Sequence, residues 1–185
     1  EDIESGVKAL GILLDGVTDL PLVFTEGNHE ERLRRMEEEH PKLSGLASIA
    51  AQFKAACGSN PLRYLPYKEY FKLAPGLVAT HVPHNAMKPI ESTLGARKVL
   101  AASATSVIWG HTHQLDFATL TRNGSPQIYG LNVGCFIDPL NDPPYMRGRI
   151  KDWWRGVVVL HLPDKGAWRG EFSTISLAQL LADAT

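Results

Sequence analysis

The chain has 185 residues, 44% of them hydrophobic and 21% charged, with 16 Gly and 12 Pro, a balance that suits one globular domain, residues 1–185, and excludes a disordered or fibrous chain. A formal net charge of -1 removes any bulk electrostatic reason to expect nucleic acid or an anionic membrane as partner. Cys57 and Cys135 lie outside any C-x-x-C spacing, and no apolar run approaches the roughly 20 residues of a membrane-spanning helix, so a cytoplasmic protein with free thiols and no membrane partner is expected.

Ile3, Val7, Leu10, Leu14 and Val17 recur at helical spacing, which predicts an amphipathic first helix ended by Gly16 and the Asp19-Leu20-Pro21 segment. "PLVFTE", residues 21–26, reads as a short strand, which puts Asn28 and His29 in the loop after it. "EERLRRMEEE" then resumes as a helix, with Glu30 before Arg34 and Glu31 before Arg35 at i,i+4 spacing, and its charges read as a solvated face. A second helix is expected over 42–57, closed by the "GSNP" turn. The stretch 42–72 is long enough for a cap, although Tyr64, Tyr67 and Tyr70 read better as core cover.

"GLVATHV", residues 76–82, predicts a strand ending at His81. A helix interrupted by Gly95 follows Pro89, and "TSVIWG" is a buried strand ending at Gly110. The remainder, "DFATLT", "QIYGLNV", "GVVVLHL" and "WRGEFSTI", is strand-like and divided by turns such as Asn123-Gly124. Alternating strands and helices followed by strands give an α/β class.

Histidines follow three of these strands. In open α/β sheets functional loops gather beyond the carboxyl ends of strands, where Asn28, His29, His81, His111 and His113 all fall on this reading. Imidazole nitrogen and amide oxygen suit divalent Mn, Fe, Ni, Co or Zn. Gly27 and Gly110, each just ahead of a candidate ligand, are the expected places for sharp turns with positive φ. His40 and His161 read as ordinary surface or core residues, and His81 is preferred to His84 because it directly follows its strand.

"GNHE" at 27–30, the strand-terminal His81 and "GHTH" at 110–113 resemble, in order, the third to fifth motifs of the calcineurin-like metallophosphoesterases, and the tail with "NVGCFIDP", Tyr145 and Trp154 resembles their bacterial and phage-type branch. The resemblance implies a β-sandwich flanked by helices, in α-β-β-α layers, and a phosphoester substrate. It implies that Asn28, His81 and His111 ligate one metal, that His113 ligates a second, and that His29 faces the scissile phosphate as general acid. Two divalent ions about 3.5–4 Å apart would activate water and clamp the phosphoryl oxygens. Arg32 and Arg35, on the helix that opens at the site, are candidate phosphate contacts beside the solvated-face reading.

The family's opening D-x-H and G-D-x-x-D motifs have no counterpart here. Asp2, Asp15 and Asp19 lack the required neighbours, and the chain opens on Glu1 inside a helical pattern, so the sequence is expected to begin after those motifs. Neutral ligands alone give two dications little compensating charge, and the site is expected to be incomplete. Two rival readings follow. One is a degenerate, non-catalytic phosphoesterase domain that acts as a binding or regulatory module. The other is a nucleic-acid-binding domain at "MRGRIKDWWRG", where Arg147, Arg149, Lys151 and Arg155 interleave with Trp153 and Trp154, although tryptophans beside a strand more often pack inward; nucleic acid would also serve as a phosphoester substrate.

Overall fold

The computed structural model describes residues 2–40, 42, 48–85, 88–89, 95–137 and 152–183. The chain is mixed α/β, as expected, and gathers into two compact units, Glu1–Glu69 and Tyr70–Thr185. Among the described residues no helix is long and apolar enough to cross a membrane.

The first unit contains α1 (Asp2–Leu13), β1 (Leu22–Thr25), α2 (Asn28–Glu39), α3 (Ile49–Ala56) and β2 (Leu62–Leu65). β1 and β2 pair in parallel, Leu22 opposite Leu62 and Thr25 opposite Leu65. Phe24 of β1 sets its ring 4.5 Å from Phe53 of α3 and 5.3 Å from Tyr64 of β2, so aromatic contact joins helix to sheet. Asn60 of the "GSNP" turn is buried and fully used: Oδ1 accepts from Leu20 N–H at 2.8 Å, and Nδ2 donates to the carbonyls of Val17 at 2.9 Å and Cys57 at 3.1 Å. The cap envisaged over 42–72 is not what the described residues build, since 62–65 supply the partner strand of β1. The expected second helix is confirmed only from Ile49, behind a Ser48 hydroxyl that accepts from Ala51 N–H; residues 43–47 lie outside the described ones.

The second unit contains β3 (Phe71–Ala74), β4 (Leu77–Thr80), β5 (His84–Asn85), β6 (Lys88–Pro89), α4 (Gly95–Ala102), β7 (Ser106–Trp109), β8 (Leu115–Leu120), β9 (Ile128–Val133), β10 (Gly156–Leu160), β11 (Phe172–Ser176) and α5 (Leu177–Asp183). Among the described residues five strands form one sheet in the order β3-β4-β7-β9-β8. The central β4, β7 and β9 run parallel, and each edge strand is antiparallel to its neighbour.

β7, buried at every position, shows why the sheet sits where it does. Its side chains alternate: Val107 and Trp109 meet Ala96, Val99 and Leu100 of α4, while Ile108 meets Leu77, Leu131 and Trp168 on the opposite face. The antiparallel ribbon of β10 and β11 covers that second face through Val158, Leu160 and Phe172. Burying each such large apolar side chain contributes about 1.5–3 kcal/mol. Gly130 lets α4 close on the sheet, because a Cβ there would stand 2.9 Å from Leu100. The helix expected around Gly95 starts at that residue; 90–94 lie outside the described residues.

Candidate metal centre

β4 and β7 are in parallel register with Thr80 opposite Trp109, so His81 and Gly110 leave the sheet side by side. The chain then turns at once. Thr112 N–H donates to Gly110 carbonyl at 3.0 Å across His111, whose φ is 77°, which is a γ-turn of the rare, strained, positive-φ kind. That turn brings His111 Nδ1 to 3.2 Å from His81 Nε2, with the rings at 77° to each other.

At 3.2 Å one imidazole N–H can donate to the lone pair of the other. The spacing has a second meaning. Two nitrogens bound to one cation at about 2.0–2.1 Å stand about 2.9 Å apart at right angles and about 3.4 Å apart at the tetrahedral angle, so the observed gap lies within the bite of a shared ion. The pair therefore fits a divalent cation in donor chemistry and in geometry.

His113 is also left-handed, at φ 62°, and its ring packs edge-on against Trp153 with centroids 4.2 Å apart. Arg155 lies over the same indole at 5.6 Å. His113 is not gathered with the other two: among the described residues no three His, Cys, Asp or Glu side chains form a metal-binding group. A left-handed conformation costs a non-glycine residue about 1–2 kcal/mol, and it persists only where surroundings enforce it. Here His113 carbonyl accepts from Trp154 N–H at 2.9 Å, Gln114 carbonyl accepts from Gly134 N–H at 3.0 Å, and the Thr112 hydroxyl accepts from the Asn132 side-chain amide.

These contacts correct one expectation. Positive φ is expected at the Gly27 and Gly110 turns, yet Gly27 is extended at φ -87° and the positive-φ residues are His111 and His113. Asn132 was missed as well. Its signal was a polar residue near the end of the apolar run "QIYGLNV", and it is only 3% exposed.

Asn28 and His29 belong to the first unit, where they open α2 and do not occupy the loop expected for them. Asn28 is half-buried and His29 exposed. Gly27 N–H donates to Glu30 Oε2 at 3.0 Å and Gly27 carbonyl accepts from Glu31 N–H at 3.0 Å, an N-terminus closed within one turn. Glu30 thus serves the cap, while Arg34 bonds Glu38 at 2.6 Å and Glu26 at 3.1 Å. Arg32 is exposed, and Arg35 reaches Glu31 and Glu39 only at 4.0 Å, as on a solvated face.

Glu26, immediately before the motif, is 1% exposed and accepts from Tyr67 N–H at 2.7 Å as well as from Arg34. Burial, then the nearby Glu26 carboxylate, pushes the Tyr64 phenol above its ordinary range. Burial likewise raises the thiol of Cys57, which is free.

The remaining candidates are quiet. The His84 ring lies 4.8 Å from that of Tyr70, tilted by 31°, and the Tyr70 hydroxyl bridges its backbone, accepting from N–H at 3.0 Å and donating to the carbonyl at 3.2 Å. His40 ends α2 exposed, and His161, beyond the end of β10, is exposed with Nε2 2.6 Å from Ser173 Oγ. Trp153 is 9% exposed, the packed role expected of it, while Tyr145, Arg147, Arg149 and Lys151 lie outside the described residues. A cavity of about 290 Å³ is lined by Gly76, Ser106 and Ile128, at the amino ends of the parallel strands and so away from the histidines. Compared with known proteins, the chain matches no family model, no curated protein and no solved structure.

Proposed function

We propose that this chain is a metal-dependent phosphoester hydrolase, acting on a phosphomonoester or phosphodiester, whose first metal is held by His81 and His111. The observation that carries the reading is the 3.2 Å separation of two imidazole nitrogens at adjoining carboxyl ends of parallel strands. The helix-on-sheet-on-ribbon layering of the second unit supports the finer α-β-β-α metallophosphoesterase architecture, and the free thiol of Cys57 suits a reducing cytoplasm.

A divalent Mn, Fe, Ni, Co or Zn ion bound there would supply Lewis acidity toward a phosphoryl oxygen and toward water. The protein's part is to aim both imidazoles. The motif resemblance alone would give Asn28 the role of a further donor and His29 that of the acid to the leaving oxygen, with His113 serving a second ion in a complete site and Arg32 a weaker phosphate contact.

One observation favours a second reading, a non-catalytic phosphoesterase-like module. Among the described residues no Asp or Glu joins the two imidazoles in a metal-binding group, and imidazole binds a metal as an uncharged donor, so a dication there would lack compensating charge.

Calorimetric titration of the chain with Zn or Ni, and of His81→Ala and His111→Ala, tests the metal. One ion per chain is expected, lost in either variant; unaltered binding in both variants rejects the site. Hydrolysis of bis-p-nitrophenyl phosphate by the metal-loaded chain, reduced in His29→Ala, separates hydrolase from module.

A further inference from the structure

We infer that Asn132 is a positioning residue for the imidazole pair: from β9 it grips Thr112, and through Thr112 it fixes the turn that presents His111. The inference rests on the metal reading above. Asn132 stands opposite Trp109 of β7 on one side and opposite Asp116 of β8 on the other, at the level where the sheet gives way to the "GHTH" turn. Its side-chain amide donates to Thr112 Oγ1, while its Oδ1 is buried and meets no hydrogen-bond partner among the described residues. A strand that needed only packing would carry an apolar residue at such a position, because an unsatisfied buried carbonyl opposes folding.

The turn needs an external hold. His111 and His113 are both left-handed, and Thr112 sits between them. Two of the tethers described are backbone bonds, from Trp154 to His113 and from Gly134 to Gln114. The Asn132 bond is the tether that acts at the centre of His-Thr-His, and it is made by side chains alone. When it is released, the γ-turn can relax to ordinary φ, which moves His111 Nδ1 out of the bite it shares with His81 Nε2. Partners that orient a metal ligand typically change metal affinity by about 10- to 100-fold.

The test compares Thr112→Val, Thr112→Ser and Asn132→Leu with the unaltered chain. Zn affinity is measured by calorimetry, the visible spectrum after Co(II) loading reports coordination geometry, and folding is checked by circular dichroism. Expected are a roughly 10-fold or greater loss of Zn affinity and an altered Co(II) spectrum in Thr112→Val and Asn132→Leu, with both restored in Thr112→Ser. Thr112→Val is nearly isosteric and carries the test should Asn132→Leu fail to fold. If the unaltered chain binds Zn, His111→Ala abolishes binding, and Thr112→Val binds as tightly as the unaltered chain with only a lowered melting temperature, the inference is overturned and the metal reading stands. Absence of Zn and Co(II) binding by the unaltered chain overturns both.

Discussion

"GNHE" and "GHTH" share a glycine and a histidine at a strand's end, but they are built by different physics. At Gly27 the chain passes from β1 into α2 with extended backbone, and the Gly27 N–H is satisfied by Glu30 three residues on. At Gly110 no helix follows. The chain folds back on itself, puts two histidines into left-handed conformation, and is held by residues from β9 and from the segment before β10. The first turn is local and relaxed, whereas the second is strained and depends on contacts distant in sequence. Such conformations persist only where the surrounding structure over-determines them.

The largest test of this contrast is Gly134→Ala. Gly134 has φ 74°, and a Cβ there would stand 2.5 Å from both the ring and the carbonyl of Trp154, so the neighbour that holds the "GHTH" turn must move. A loss of about 2–4 kcal/mol is expected from backbone conformation and overpacking together. Urea denaturation measures it; a loss below about 0.5 kcal/mol would place the hold on the turn elsewhere.

A smaller effect has a sharper sign. At His111 the glycine variant should be more stable than the alanine variant by about 1 kcal/mol, because glycine adopts positive φ without penalty. At His29, inside α2, the order should reverse by up to about 1 kcal/mol, because glycine is the weaker helix former. Thermal melts of the four variants decide it. The same order at both positions would erase the distinction between the turns.

The smallest effect concerns pH near the first motif. Burial and the Glu26 carboxylate raise the folded-state pKa of Tyr64, so folded chain keeps a proton that unfolded chain releases near pH 10. The stability linked to Tyr64 is full below about pH 10 and declines as pH rises beyond it. In Tyr64→Phe the alkaline decline of the unfolding midpoint should be shallower. An unchanged slope would detach Tyr64 from the Glu26 anchor.

What the sequence disclosed follows from locality. β4 and β7 were legible because their apolar runs stop at His81 and Gly110, and full burial of "SVIW" leaves no alternative pattern. The start of α2 at Asn28 was misplaced because Asn28 is itself a favoured cap type and reads as lying outside the helix, whereas the cap is Gly27, closed by Glu30. β2 was hidden because "LRYL" carries an arginine in a four-residue run, and only parallel pairing with β1 makes it a strand. α5 was lost behind "FSTI", since the strand β11 passes into the helix without an intervening turn. Within the site, His81 and His111 could be nominated by their place after strands. The left-handed backbone at histidine could not, because nothing local to His-Thr-His demands it; the demand comes from Asn132, Gly134 and Trp154.

One strand also governs the helix that links the two imidazole-bearing strands. At the start of β8, Asp116 Oδ2 accepts from Ala96 N–H at 2.6 Å; just past its end, the Arg122 guanidinium donates to the carbonyls of Leu100, Ala101 and Ser103 at 2.8–3.0 Å. α4 spans only 8 residues, too few to survive alone in water, and both of its frayable ends are thereby soldered to a neighbour. Unwinding of the crossover is then inseparable from peeling away the sheet's border, so heat or denaturant meets this half of the protein as one cooperative block whose connector cannot melt first.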